Sequence, residues 1–145
     1  MEKILVSACL LGVPCRYDGK SKPDSQVIAL KDKYELIPVC AEVLGGLPTP
    51  RISAERVGNK VIRKDGVDVT FEYNKGANEI LNIAIKNSCT KAILKSKSPS
   101  CGKGEIYDGT YTRTLIKGNG VLTDLLLKNN IEVYSETEID KLWKL

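Results

Sequence analysis

The sequence predicts an α/β protein, a three-layer sandwich on a mostly parallel, Rossmann-like sheet with a small hairpin insertion. Three observations carry this expectation. Four short apolar runs of strand type fall at residues 3–8, 35–39, 90–95 and 131–134. Segments with helical spacing separate or follow them. Two further short stretches flank Gly58-Asn59, a dipeptide suited to a tight hairpin turn.

Taken in order, residues 3–8 (KILVSA) read as a buried strand, followed by a loop with Gly, Pro and Asp through Pro23. Residues 25–31 read as a short helix with Val27, Ile28 and Leu30 as its apolar side. The second strand, 35–39, contains Pro38, which cannot donate to a ladder and so places it at an edge or a strand end. Residues 41–51 hold two glycines and two prolines and read as loop. The stretches 55–57 and 60–62 form the hairpin. Ala77, Ile80, Leu81, Ala84 and Ile85 then recur at helical spacing, predicting a long amphipathic helix over 70–87. The third strand, 90–95, runs into SKSPSCGKG. A polar segment covers 105–114, and a helix at 121–128, a strand at 131–134 and a helix from about residue 136 complete the chain. There is no repeat, low-complexity stretch or linker.

The 145 residues suit one domain, 1–145, with a single core. An apolar fraction of 42% and a charged fraction of 28% exclude a disordered chain. No apolar run approaches the roughly 20 residues of a membrane span. The start, MEKILVSACLLG, carries an early acidic residue and runs directly into a turn, so it reads as a strand rather than a signal peptide. A cytoplasmic protein without a membrane partner is expected. The net charge of +4 is spread along the chain; it suits an anionic small molecule and does not argue for nucleic acid. Aromatics at 6% argue against a base-stacking surface. Five cysteines in a reducing compartment do not make a disulfide framework, and the absence of histidine excludes Ser–His and Cys–His catalysis. The chemistry is left to thiolates, carboxylates, hydroxyls, Lys/Arg or a cofactor.

Parallel sheets bind ligands beyond the carboxyl ends of their strands. Cys9, Cys40 and Cys101 follow the first, second and third strands, so all three thiols are expected at one sheet edge. Thiolates suit zinc, Cu(I) and iron–sulfur clusters, and the lack of a CxxC pair disfavours a zinc ribbon or a thioredoxin-type dithiol. Three thiolates without a paired fourth would leave one iron of a 4Fe–4S cluster open. Spacing alone equally allows three small buried hydrophobes. Cys15, in GVPCRYDG, is a candidate fourth ligand, whereas Cys89, between a helix and a strand, reads as core. Glu42, two residues after Cys40, is either a proton shuttle beside a metal or a solvated loop glutamate. Asp18 caps a turn or orients Arg16. Arg16, Arg51 and Lys95 neutralise cluster or substrate charge or are surface charges. Ser98 and Ser100 hydrogen-bond sulfur or substrate, or form an ordinary turn around Pro99. Gly118-Asn119-Gly120 is a short candidate anion site at a helix start.

Three segments together resemble the thiouracil desulfurase family: SACLLGVPCRYDG at 7–19, PVCAEVLGGLPTPR at 38–51 and SPSCG at 98–102. The resemblance covers essentially the whole chain, with the motifs in order. It implies a 4Fe–4S cluster, readily lost in air, on Cys9, Cys40 and Cys101, with an open iron that takes the sulfur of a thiolated base. It further implies Glu42 as acid/base, a serine ahead of the last ligand (Ser98 or Ser100) as a catalytic group, and conversion of 2-thiouracil to uracil plus sulfide. Arg16, Asp18 and Arg51 stand in the same motifs as substrate-binding candidates. The family pattern reads PVCPE, and this chain departs from it with Ala41. Two other functions fit the same residues: a cluster enzyme passing sulfur from another substrate, and a non-enzymatic cluster-binding regulatory module.

Overall fold

A computed structural model describes residues 1–144. The first half runs β1 (Glu2–Ser7), α1 (Ser25–Ala29), β2 (Tyr34–Val39), α2 (Ala41–Leu44), β3 (Ala54–Val57), β4 (Lys60–Arg63) and α3 (Thr70–Lys86). The second runs β5 (Lys91–Leu94), β6 (Glu105–Tyr107), β7 (Leu115–Lys117), α4 (Val121–Lys128), β8 (Glu132–Ser135) and α5 (Asp140–Trp143). The central sheet has the order β2-β1-β5-β8 and every pairing is parallel. As expected from Pro38, β2 is an edge strand, with Pro38 opposite Val6 near its end.

Side-chain alternation along the inner strands produces the three layers. Ile4 and Val6 of β1 and Ile93 of β5 pack with Val27, Leu30, Ile139 and Leu142 on one face. Leu5, Ala92 and Leu94 face the other way, onto Tyr73, Ala77, Ile80 and Ala84 of α3 and Leu122 and Leu126 of α4. Both faces are therefore covered, as a buried parallel sheet requires. Asp24 caps α1, its carboxylate accepting from the backbone N–H groups of Gln26 and Val27 at 3.0 and 3.1 Å. The α-helix stops at Ala29, and residues 30–32 continue as a 3₁₀ turn.

Three segments differ from the sequence expectation. The predicted loop 41–51 opens with one helical turn, α2, started from an extended Cys40. The polar stretch after residue 105 pairs with 115–117 as a second antiparallel hairpin, β6–β7. The last helix begins at Asp140 rather than near 136, because Ser135 and Glu138 first close a turn: Ser135 N–H donates to Glu138 Oε1 and Glu138 N–H to the Ser135 carbonyl, each at 3.0 Å. On α3, Ile85 carries the helical spacing but lies on the exposed side. Among the described residues no helix is long and apolar enough to cross a membrane.

Candidate active site

Cys9 and Cys40 sit just past the carboxyl ends of β1 and β2 and Cys101 lies in the loop that follows β5, and each is fixed by local backbone chemistry. Cys9 lies in the 3₁₀ turn Ala8–Leu11 after β1, which ends at Gly12 with φ 97°. Its carbonyl accepts from Lys22 N–H at 2.9 Å, tying the two ends of the following loop together. Cys40 is the cap residue of α2, at φ −139° and ψ 111°. Two glycines allow α2 to lie on α3 backbone to backbone. A Cβ on Gly76 would sit 1.8 Å from the Ala41 carbonyl oxygen, and one on Gly45 would sit 2.0 Å from that of Glu72. Ala41, where the family pattern has proline, occupies the first helical position, which proline also favours.

Cys101 follows β5 and is held by the start of α4. Val121 and Leu122 N–H groups donate to the Pro99 and Ser100 carbonyls at 2.9 Å, and Thr123 Oγ1 donates to the Cys101 carbonyl at 2.9 Å. Gly120 makes this approach possible, since a Cβ there would lie 2.2 Å from the Ser100 carbonyl oxygen. The segment Gly118-Asn119-Gly120 is thus a docking point for the Cys101 loop: the helix N–H groups a phosphate would use are bonded to protein carbonyls. Ser98 Oγ accepts from the N–H groups of Ser100 and Cys101 at 3.1 and 3.0 Å, closing the turn before the third thiol.

The three turns open on one cavity of about 560 Å³, lined by Cys9, Cys15, Cys40, Cys101, Glu42 and Ser98 among others. Cys15 lies against two of the thiols. The Cys40 thiol lies 3.9 Å from the Cys15 carbonyl oxygen, and the Cys40 and Cys9 thiols both act on the proton affinity of Cys15. Cys40 Sγ is 4.0 Å from Glu42 Oε2. Burial pushes the Cys101 thiol up to about 12, with the Glu42 charge adding to it and the Ser7 hydroxyl opposing it. The Cys40 thiol is raised more strongly, first by its hydrogen bond to Cys15 and then by burial. For Cys15 the Cys40 thiol pulls down while the Cys9 thiol and burial push up, and the balance is upward. Protein alone therefore holds these groups as neutral thiols, and a bound metal centre inverts that preference.

Glu42 is no solvated loop residue. Its Oε2 meets Arg51 Nη2 at 2.7 Å, with the two side chains only 16% and 6% exposed. Burial raises the Glu42 carboxyl above its usual range, against the pull of the Arg51 charge. Arg51 also donates to the Cys15 and Pro48 carbonyls at 2.9 and 3.1 Å, and its N–H donates to the Tyr17 carbonyl at 2.8 Å. It is a clamp between the Cys15 loop and Glu42.

Arg16 lines the cavity, its guanidinium carbon 5.9 Å from the Tyr17 ring centre. Asp18 lies outside the lining, its carboxylate accepting from Lys20 N–H at 3.0 Å as a turn cap. Lys95 lines the cavity and pairs with Glu136 at 3.0 Å. Lys64, Lys97 and Arg113 also line it and, among the described residues, form no ion pair, which leaves the mouth positive. Cys89 is buried in the α3–α4 core, away from the site. Sequence reasoning missed Tyr73, whose buried ring on α3 lines the cavity and whose hydroxyl has no hydrogen-bond partner among the described residues. Its place on the inward face of α3, one turn before Ala77, was the available signal.

These residues fit an iron–sulfur cluster. The donors are all sulfur, come from three separate turns and face a cavity far larger than one ion. Among the described residues no group of three Cys, Asp or Glu side chains is placed to hold a single metal ion. Beside the third thiol, the fully buried Ser100 hydroxyl has no protein hydrogen-bond partner.

The class is that of a parallel α/β protein that gathers cysteine thiols and one clamped carboxylate around a single cavity at the carboxyl edge of its sheet. The particular family follows from comparison: the 2-thiouracil desulfurase model matches residues 4–138, and the chain belongs to that family. It is similar to a solved structure described as the [4Fe-4S]-dependent thiouracil desulfidase TudS, at 44% identity and a TM-score of 0.93, over 98% of this chain and 95% of that one. It is also 38% identical to YbbK of Bacillus subtilis (strain 168), over 96% of this chain and 99% of that protein.

Proposed function

We propose that this chain replaces the sulfur of a thiolated pyrimidine by oxygen, converting 2-thiouracil to uracil and sulfide with the aid of a 4Fe–4S cluster. The observation that carries the reading is the convergence of Cys9, Cys40 and Cys101 with the clamped Glu42 on one cavity. The cysteines would hold the cluster, and the cluster, when bound, supplies an open iron that acts as a soft Lewis acid toward a thiocarbonyl.

The chain's own groups supply the rest. Glu42 keeps Oε2 on Arg51 and has Oε1 left to take a proton from the attacking water and to return it to the departing sulfide. Burial raises its carboxyl, which makes it a stronger proton acceptor than a solvated glutamate. Ser98 uses its oxygen lone pairs on two backbone N–H groups, so its own O–H is available to the substrate sulfur. Tyr73 offers a phenolic donor to a ring carbonyl. The positive mouth formed with Lys64, Lys97 and Arg113 favours electron-rich or anionic ligands. The net change consumes one water and needs no electron donor.

The test is anaerobic reconstitution with iron and sulfide, counting iron per chain, followed by uracil formation from 2-thiouracil. About four irons per chain are expected, lost in Cys9→Ala, Cys40→Ala and Cys101→Ala but kept in Cys89→Ala. Glu42→Gln should keep its iron and lose turnover by about 10²–10⁴-fold. A wild-type chain that takes up no iron would overturn the assignment, and a loaded chain inert toward every thiopyrimidine would overturn the substrate.

A further inference from the structure

Cys15 has no part in the reaction proposed above, yet it is a buried thiol in the wall of the same cavity. The Cys40 thiol lies 3.9 Å from its carbonyl oxygen, which brings the two cysteines side by side in the cavity wall. Of the thiols around the cavity only Cys40 is half-buried, the others being buried, so a small reagent entering the cavity meets Cys40 first. One guanidinium fixes the geometry from both sides: Arg51 Nη2 holds the Cys15 carbonyl at 2.9 Å and Glu42, two residues beyond Cys40, at 2.7 Å.

We propose that Cys15 and Cys40 form a reversible disulfide whenever the cluster is absent, and that this bond protects the ligand thiol from irreversible oxidation. The role of Cys40 as a ligand rests on the function proposed above; the disulfide itself does not. The co-reactant is an oxidised low-molecular-weight disulfide. The Cys40 thiol passes its proton to Glu42, whose carboxylate lies 4.0 Å away, as its sulfur attacks one of the disulfide's sulfurs; a mixed disulfide forms and the first small thiol leaves with that proton. Cys15 sulfur then attacks Cys40 sulfur, forming the Sγ–Sγ bond and releasing the second. Two protein thiols lose two electrons and two protons, and the small disulfide gains both as two reduced thiols. Without Cys15 the second step loses its attacking group, because the Cys40 thiol is placed against residues 15 and 42 rather than against Cys9. An unprotected thiol is open to peroxide and proceeds through sulfenic to sulfinic acid, which reductants do not reverse.

The test uses the full cluster-free chain, freed of iron by an anaerobic chelator and incubated with oxidised glutathione. Free thiols should fall from five to three, the intact mass should fall by two hydrogens, and peptide mapping should join residue 15 to residue 40. Cys15→Ser should instead gain one glutathione, on Cys40. After oxidation, brief peroxide and then dithiothreitol, the wild type should recover its iron uptake, and Cys15→Ser should recover several-fold less. A Cys9–Cys15 or Cys9–Cys40 bond, a persistent glutathione adduct on the wild type, or equal recovery by both chains would overturn the proposal. Because thiols, mass and iron uptake are read and turnover is not, failure here leaves the desulfuration reading standing, and an inert enzyme leaves this one standing.

Discussion

Replacing Arg51 with methionine removes the counter-charge of Glu42 while keeping most of the side chain's apolar stem. At 2.7 Å and an effective dielectric constant of about 20, the gross attraction is about 6 kcal/mol. Desolvation of two nearly buried groups offsets part of it, and breaking such a pair costs about 3–5 kcal/mol. The lost bonds to the Cys15 and Pro48 carbonyls place Arg51→Met toward the upper end of that range. Against a Glu42→Gln background the same substitution leaves no orphaned carboxylate, so its effect should shrink by about 2 kcal/mol. Urea unfolding of the cluster-free chain, followed by circular dichroism for the wild type and the three variants, yields this coupling from midpoints at constant m. A coupling under about 0.5 kcal/mol would refute the view that Arg51 acts mainly on Glu42.

Four other outcomes are expected. Gly76→Ala forces α3 off the Ala41 carbonyl and should lose about 2–3 kcal/mol in urea unfolding, with lower iron uptake through displacement of the Cys40 turn. Ala41→Pro should gain about 0.4–1 kcal/mol, since Cys40 already holds the extended backbone that precedes proline; a loss measured by thermal unfolding would contradict this. Ser98→Ala should lose about 1 kcal/mol and loosen the Cys101 turn, seen as faster amide hydrogen exchange at residues 100 and 101. Glu138 is held down to about 2: burial pushes its carboxyl up, but the Ser135 N–H, Lys141 and Lys103 together outweigh it. Its stabilising contribution is therefore complete above the ordinary carboxylate range near 4.5 and is lost as pH falls toward 2, so Glu138→Gln should flatten the acid limb of a stability–pH profile between those values.

The sheet was legible because each of its strands is an apolar run too short for a helix, and α3 and α4 because their spacing is helical. Pro38 even marked the edge. The reading failed where short-range signals mislead. In 41–51 the two glycines and two prolines hid a single turn whose stability comes from contact with α3, a partner far along the chain. The β6–β7 hairpin has three-residue strands, too short for alternation to register. At the site, strand order alone brought Cys9, Cys40 and Cys101 to one edge. The Arg51–Glu42 contact, the placement of Cys15 and the inward turn of Tyr73 depend on loop paths that no local pattern encodes.

The delivery of three cysteines by three separate strands also sets a timetable. Cys9 and Cys40 come from neighbouring strands that pair early in the chain, but Cys101 is fixed only once β5 has docked on β1 and α4 has closed over residues 99–101. Cys101 is residue 101 of 145, so most of the chain is synthesised before the last thiol exists, and its anchoring helix comes later still. A cluster held by these three thiols would therefore enter a finished sheet rather than an unfolded chain.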